Sequence, residues 1–132
     1  MPRVQWPLRR NRPCVQIVLT LTATGQPHPR TLLADSGAGS RSAPFELILD
    51  ASDCLRCGGL PLVLRPLRGA YTGLFWVYEI AVQLPALGFA QRLRAVGVPS
   101  LPRGFYGIAG FPFLNRFTYG NFGDPGQFGL ES

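Results

Sequence analysis

Lysine is absent from this chain, and histidine occurs once, at His28. Carboxylates are scarce as well: seven Asp and Glu stand against thirteen basic residues, all of them Arg, for a formal charge of +6. Without lysine there is no G-x-x-x-x-G-K-[ST] loop, so a Walker phosphate site is excluded, and the Rossmann glycine fingerprint is missing too. His28 lies between two prolines in a turn-like stretch, Gly25–Pro29, and reads as exposed and unemployed, which argues against Ser-His-Asp and Cys-His catalysis. Long apolar runs are also lacking. None nears the roughly twenty residues that span a bilayer, and no apolar segment follows the basic start as it would in a secretory leader. The expectation is a cytoplasmic protein with no membrane partner.

Three cysteines, Cys14, Cys54 and Cys57, are too few for a disulfide framework and odd in number. Cys54-x-x-Cys57 has the spacing of half a zinc site, but a structural zinc needs four ligands and only the distant Cys14 and His28 remain. A redox CxxC expects a helix to follow, whereas Gly58-Gly59 comes next. No metal and no organic cofactor is therefore expected. The arginines are scattered singly except in "PLRRNRP", Pro7–Pro13. With no reading module and no interleaved basic and aromatic strand, nucleic acid is not the expected partner; an arginine-dependent binder of nucleic acid or phosphoprotein is the last of three readings.

What is present is a folding chain of one-domain length. Apolar residues make up 46% and charged residues 15%, the reverse of a disordered composition. Sixteen glycines and thirteen prolines break the sequence into short segments, and no window of ten residues keeps a helical period free of both. The fold class read from this is mostly β. "VQIVLTLTAT", Val15–Thr24, alternates with Val15, Ile17, Leu19 and Leu21 on one face, and "RTLLAD" returns as a second strand ending at Asp35. Ala43–Leu55 reads as a strand with Phe45, Leu47 and Leu49 at period two, or as a short helical turn. Gly58–Leu84 reads as two extended arms about a tip, Gly69-Ala70-Tyr71-Thr72-Gly73, and Ala90–Pro99 as a strand. In "GIAGFPFLNRF", Gly107–Phe117, Pro112 suits a first helical turn, making this the best helix candidate. Residues 1–13 read as a solvated basic arm, 14–118 as the domain, and 119–132 as a glycine-rich extension that packs on it irregularly.

Among the seven acids only Asp35 ends an apolar strand and runs into a hydroxyl and a glycine, "LLADSGAGS". Asp50 and Asp53 read as capping or solvated residues, Asp124 as a turn residue, and Glu79 as either buried or outward.

"LLADSGA" resembles the catalytic loop of aspartic peptidases, and "GIAGFPFLNRF" resembles the same family's second signature of two apolar residues, a glycine and a short helix. Between them, "RPLRGAYTGLFWV" is similar to the flap of the single-domain, retroviral-type members, the retropepsins. The resemblance covers Val15 to Phe117 and implies a closed acid-protease-type β-barrel with one short C-terminal helix. It implies Asp35 as the catalytic acid in an active-site loop of Ser36, Gly37 and Ala38. It further implies a flap of Gly69, Ala70, Tyr71, Thr72 and Gly73 closing over an extended peptide or protein substrate, and a signature of Ile108, Ala109 and Gly110 supporting the loop. Here Pro112 removes a donor found in many relatives, and Ala109 is smaller than usual.

The chemistry the resemblance implies is peptide-bond hydrolysis. Two close carboxylates share one proton, so one takes a proton from water while the other donates to the scissile carbonyl; the aspartic-peptidase pair is the standard illustration of such sharing. One chain supplies one such acid loop, so the pair requires a two-fold homodimer. The alternative is a peptide-binding or structural module on the same barrel that does not hydrolyse.

Overall fold

The protein is described by a computed structural model covering Met1–Ser132. Its strands are β1 (Arg3–Pro7), β2 (Cys14–Thr20), β3 (Pro27–Ala34), β4 (Leu47–Asp50), β5 (Val63–Leu67), β6 (Gly73–Leu84), β7 (Phe89–Val98), β8 (Gly107–Ala109), β9 (Thr118–Gly120) and β10 (Gln127–Glu131). Helix α1 (Ala51–Gly58) follows β4, a 3₁₀ turn (Pro85–Leu87) joins β6 to β7, and α2 (Phe111–Leu114) follows β8.

The expected alternation sets the barrel. Val15, Ile17 and Leu19 of β2 are buried while Gln16 is exposed, and Leu32 and Leu33 of β3 join them in the core. Strands β2, β3, β8, β4, β7 and β6 pair in that order, and Val18 opposite Gln83 returns β2 to β6, so six strands close a barrel in a mostly β protein. Strand β5 pairs with the first half of β6, completing a hairpin that packs back on the barrel, with Leu67 in the core and Val63, Tyr71 and Phe75 against it. Two pairings are parallel, β3 with β8 and β4 with β7. Because β3 and β8 run in the same direction, the segments that leave them, from Asp35 and from Gly110, emerge at the same end of the barrel.

Close approach of backbone on either side of β8 demands glycine. A Cβ on Gly107 would lie 2.6 Å from the Ile48 carbonyl, and one on Gly110 would lie 2.8 Å from the Ala38 carbonyl and 3.1 Å from that of Glu46. Pro112 sits in the first turn of α2, as its missing N–H requires. The helix buries Phe113 and Leu114, and Phe89, Phe113 and Phe117 meet edge to face with ring centroids 5.4 to 6.2 Å apart.

Three expectations are corrected. The longest helix is α1, not the segment after Gly110. Asp50 caps it, its Oδ1 accepting from the Ser52 N–H at 2.8 Å and the Ser52 hydroxyl at 2.7 Å, while Cys54 and Cys57 pack one face inward. Eight residues were too few to show a period in a stretch rich in Ser, Asp, Cys and Gly. The N-terminal arm is not simply solvated: Val4 faces inward, Trp6 is buried, and β1 pairs antiparallel with β10 from Arg3↔Glu131 to Pro7↔Gln127. The C-terminal extension is not irregular throughout, because β10 lies between β1 and β9 in a three-stranded sheet and buries Phe128 and Leu130. No helix is long and apolar enough to cross a membrane.

Candidate active site

Asp35 stands one residue past β3, and its backbone N–H donates to the Ala109 carbonyl at 3.0 Å, extending the parallel ladder beyond the strand ends. The chain then turns back on itself. The Gly37 N–H donates to Asp35 Oδ1 at 2.9 Å, and the Ala38 N–H to the Asp35 carbonyl at 3.1 Å. The Phe111 N–H donates to the Ala38 carbonyl at 2.8 Å, and the Gly110 N–H to the Glu46 carbonyl at 3.0 Å, so the start of α2 is stitched to the acid loop on one side and the approach to β4 on the other. The loop is thus held by main-chain bonds and by one bond from the Gly37 N–H to the Asp35 side chain. Asp35 itself is half-buried and takes part in no ion pair.

The carboxylate borders a cleft of about 670 Å³. Asp35, Gly37 and Ala38 form one side, and Gly69, Ala70 and Tyr71 at the tip of the β5–β6 hairpin form another, with Ile108 beside them. The burial that the tip gives Tyr71 pushes its phenol above the ordinary value. Of the expected residues, these seven meet at the cleft. Ser36 is exposed on the loop; Ala109 and Gly110 lie behind it as supports; Thr72 and Gly73 belong to the hairpin but do not line the cavity. Sequence reasoning missed the remaining apolar wall, Ala43, Pro44, Phe45, Ile48, Pro66 and Leu67. The period-two run Phe45, Leu47 and Leu49 did not mark it, since of these only Phe45 reaches the cleft.

A second polar cluster overturns two expectations. Asp53 is not a solvated helix residue: it is 1% exposed. His28 is not idle: its Nε2 lies 3.0 Å from Asp53 Oδ1. Arg30 donates to both oxygens, Nε to Oδ2 at 2.8 Å and Nη2 to Oδ1 at 3.2 Å, and Arg56 Nη2 donates to Oδ1 at 3.0 Å. Burial is the largest influence on the Asp53 carboxyl and pushes it up, but the hydrogen bonds from Arg30, His28 and Arg56 with the Arg30 charge outweigh it and hold it below its usual value. His28 and Arg30 sit two apart on β3 and so share a face, which was the available sign. The flanking prolines misled because they suggest a turn. They are tolerated inside β3 because β8 pairs only with Leu33 and Ala34, leaving that edge open beside Pro27 and Pro29.

All three cysteines are free and buried. Burial, with Asp53, Asp50 and Cys57 nearby, pushes the Cys54 thiol up to about 12, which keeps it from acting as a nucleophile at neutral pH. Compared with known proteins, the chain matches no family model and no curated sequence.

Proposed function

We propose that the chain is one half of a retropepsin-like aspartic endopeptidase, completed by a second copy of itself. The observation that carries this reading is the Asp35 carboxylate, bound only by a backbone N–H and facing a cleft under the tip of a hairpin. No other acid lines that cleft, so the second carboxylate of a pair has to come from another molecule. With two Asp35 side chains at the axis and one proton between them, one carboxylate removes a proton from water as its oxygen attacks the peptide carbonyl. The other protonates the carbonyl oxygen, and collapse of the gem-diol releases an amine and a carboxylic acid. The β5–β6 hairpin supplies a strand edge for an extended peptide and a cover that excludes water. The test is Asp35→Asn in a peptide-library cleavage assay, with mass measured in solution. Equal cleavage by both proteins overturns the reading.

A second reading is favoured by the terminal sheet. Strand β10 already has a partner on each edge within one chain, so strand exchange between copies is left with only the free edges of β1 and β9. A peptide-binding module that works as a monomer fits that arrangement. It is supported by a monomeric mass at high micromolar concentration together with peptide binding and no cleavage.

A further inference from the structure

The arginines of this chain are not evenly answered. Arg3, Arg92 and Arg116 each hold one glutamate, and Arg30 and Arg56 share Asp53. Arg41 and Arg94 are exposed and have no carboxylate within 4.0 Å. Both line one cavity of about 540 Å³, together with Arg92, Arg116, Glu46 and Glu79. Four guanidiniums face two carboxylates there.

The pairing inside the cavity shows which arginines are free to act. Arg116 is saturated: Nε and Nη2 donate to the two Glu46 oxygens at 2.6 and 2.9 Å, and Nη1 donates to Gln91 at 3.0 Å. Glu79 lies directly across from Arg94 in the β6–β7 ladder, yet its carboxylate is taken by Arg92 at 2.6 Å. Arg94 therefore faces the cavity with its nearest cross-strand acid already engaged. The backbone of Arg94 is fixed, because its carbonyl accepts from the Glu46 N–H at 2.9 Å.

This cavity adjoins the Asp35 cleft. Ala43, Pro44 and Phe45 line both, so the loop that follows the acid is their common wall. We infer that Arg41 and Arg94 form a subsite for acidic side chains of a peptide lying in the Asp35 cleft, giving the protein a preference for Glu or Asp on one flank of the bound segment. The inference rests on the peptide-cleft reading but not on hydrolysis. A guanidinium with no intramolecular acid gains a charge-assisted, bidentate partner from a carboxylate, and the gain is electrostatic and therefore salt-sensitive. Phe45 is the only aromatic residue in the cavity, so it lacks the stacking platform that single-stranded nucleic acid uses.

The test uses the full chain carrying Asp35→Asn, so that binding is read without cleavage. Fluorescence anisotropy compares decapeptides with one apolar centre and two Glu, two Gln or two Lys on either flank. The Glu peptide is expected to bind about fivefold tighter than the Gln peptide, with Lys weakest, and the difference is expected to collapse in roughly 0.5 M salt. Adding Arg41→Gln and Arg94→Gln brings the Glu-to-Gln ratio to within about twofold. Both arginines are exposed, and a thermal melt checks that the variant folds. Equal binding of Glu and Gln peptides, no binding of any peptide, a preference that survives the double substitution, or tighter binding of decathymidylate overturns the inference. Hydrolysis is scored separately with the unsubstituted chain. Selective binding without cutting removes the peptidase reading and keeps this one; cutting of all three peptides at equal kcat/KM does the reverse.

Discussion

At one end of β3, His28 and Arg30 reach a carboxylate that is 1% exposed, and Arg56 closes on it from α1. At the other end, seven residues on and about 23 Å away along an extended strand, Asp35 is half-buried and bound only by the Gly37 N–H. Both are aspartates in a protein with few acids. A charge taken out of water must be matched by opposite charge and hydrogen bonds, and Asp53 is matched three times over. Asp35 is held in place with no cation paired to it. The difference separates an acid tied into the fold by three partners from one with no charged partner, the contrast on which the proposed hydrolytic role rests.

The sharpest break between the two ends is Asp35→Asn. Its side-chain oxygen still accepts from Gly37, so unfolding free energy is expected to move by less than about 0.5 kcal/mol. Peptide cleavage is expected to fall by on the order of 10²- to 10⁴-fold, the range for losing a general acid or base. Asp53→Asn should do the opposite. It leaves Arg30, His28 and Arg56 facing a neutral group, and urea denaturation should show a loss of about 3 kcal/mol, near the low end for a broken buried pair because Arg56 reaches water, with cleavage by the folded fraction unchanged. An unaltered urea midpoint for Asp53→Asn would erase the contrast.

The same pair differs with pH. The folded-state pKa of Asp53 lies below its ordinary value of 3.8, so its contribution to stability is complete above that value and is lost as pH falls through the lower, folded-state pKa. Stability of the native sequence should therefore decline below about pH 4 more steeply than that of Asp53→Asn, measured by urea midpoints at stepwise pH.

Gly110→Ala probes the point where stability and chemistry meet. The new Cβ would crowd the Ala38 and Glu46 carbonyls at 2.8 and 3.1 Å, costing about 1–3 kcal/mol. Unlike Asp53→Asn, it should also slow cleavage by the folded fraction, because Ala38 moves with the loop that carries Asp35. Smaller effects distinguish the arginines around Asp53. Arg30 makes two bonds and is 20% exposed, so Arg30→Gln should cost about 1.5 kcal/mol. Arg56 makes one bond to Asp53 and is 52% exposed, so Arg56→Gln should cost less than about 1 kcal/mol.

The Asp35 end was legible because its signals are local. Apolar alternation in β2 and β3, an acid followed by glycine, and a glycine-bounded hairpin tip all sit within short windows, and each lies where those windows place it. The Asp53 end was not, since its members come from β3 and α1 and are joined only when α1 packs over β6 and β7. Long-range pairing also hid the terminal sheet. Val4 and Trp6, like Phe128 and Leu130, do alternate, but Arg on one side and Gly on the other masked two-residue signals that make sense only once β1 and β10 are set side by side. The cleft wall of Pro44 and Phe45 was obscured for a related reason: a loop facing two cavities has no periodic mark.

One consequence of the terminal sheet concerns the order of the polypeptide. The Ser132 N–H donates to the Pro2 carbonyl at 3.1 Å, and Arg3 pairs with Glu131 through side chain as well as backbone. A brief glycine-serine bridge would join residue 132 to residue 1 without stretching either strand, and a new opening in the exposed turn at Ala23–Thr24 would cut no strand. A circularly permuted chain of this kind keeps every ladder while moving the covalent ends to the turn between β2 and β3.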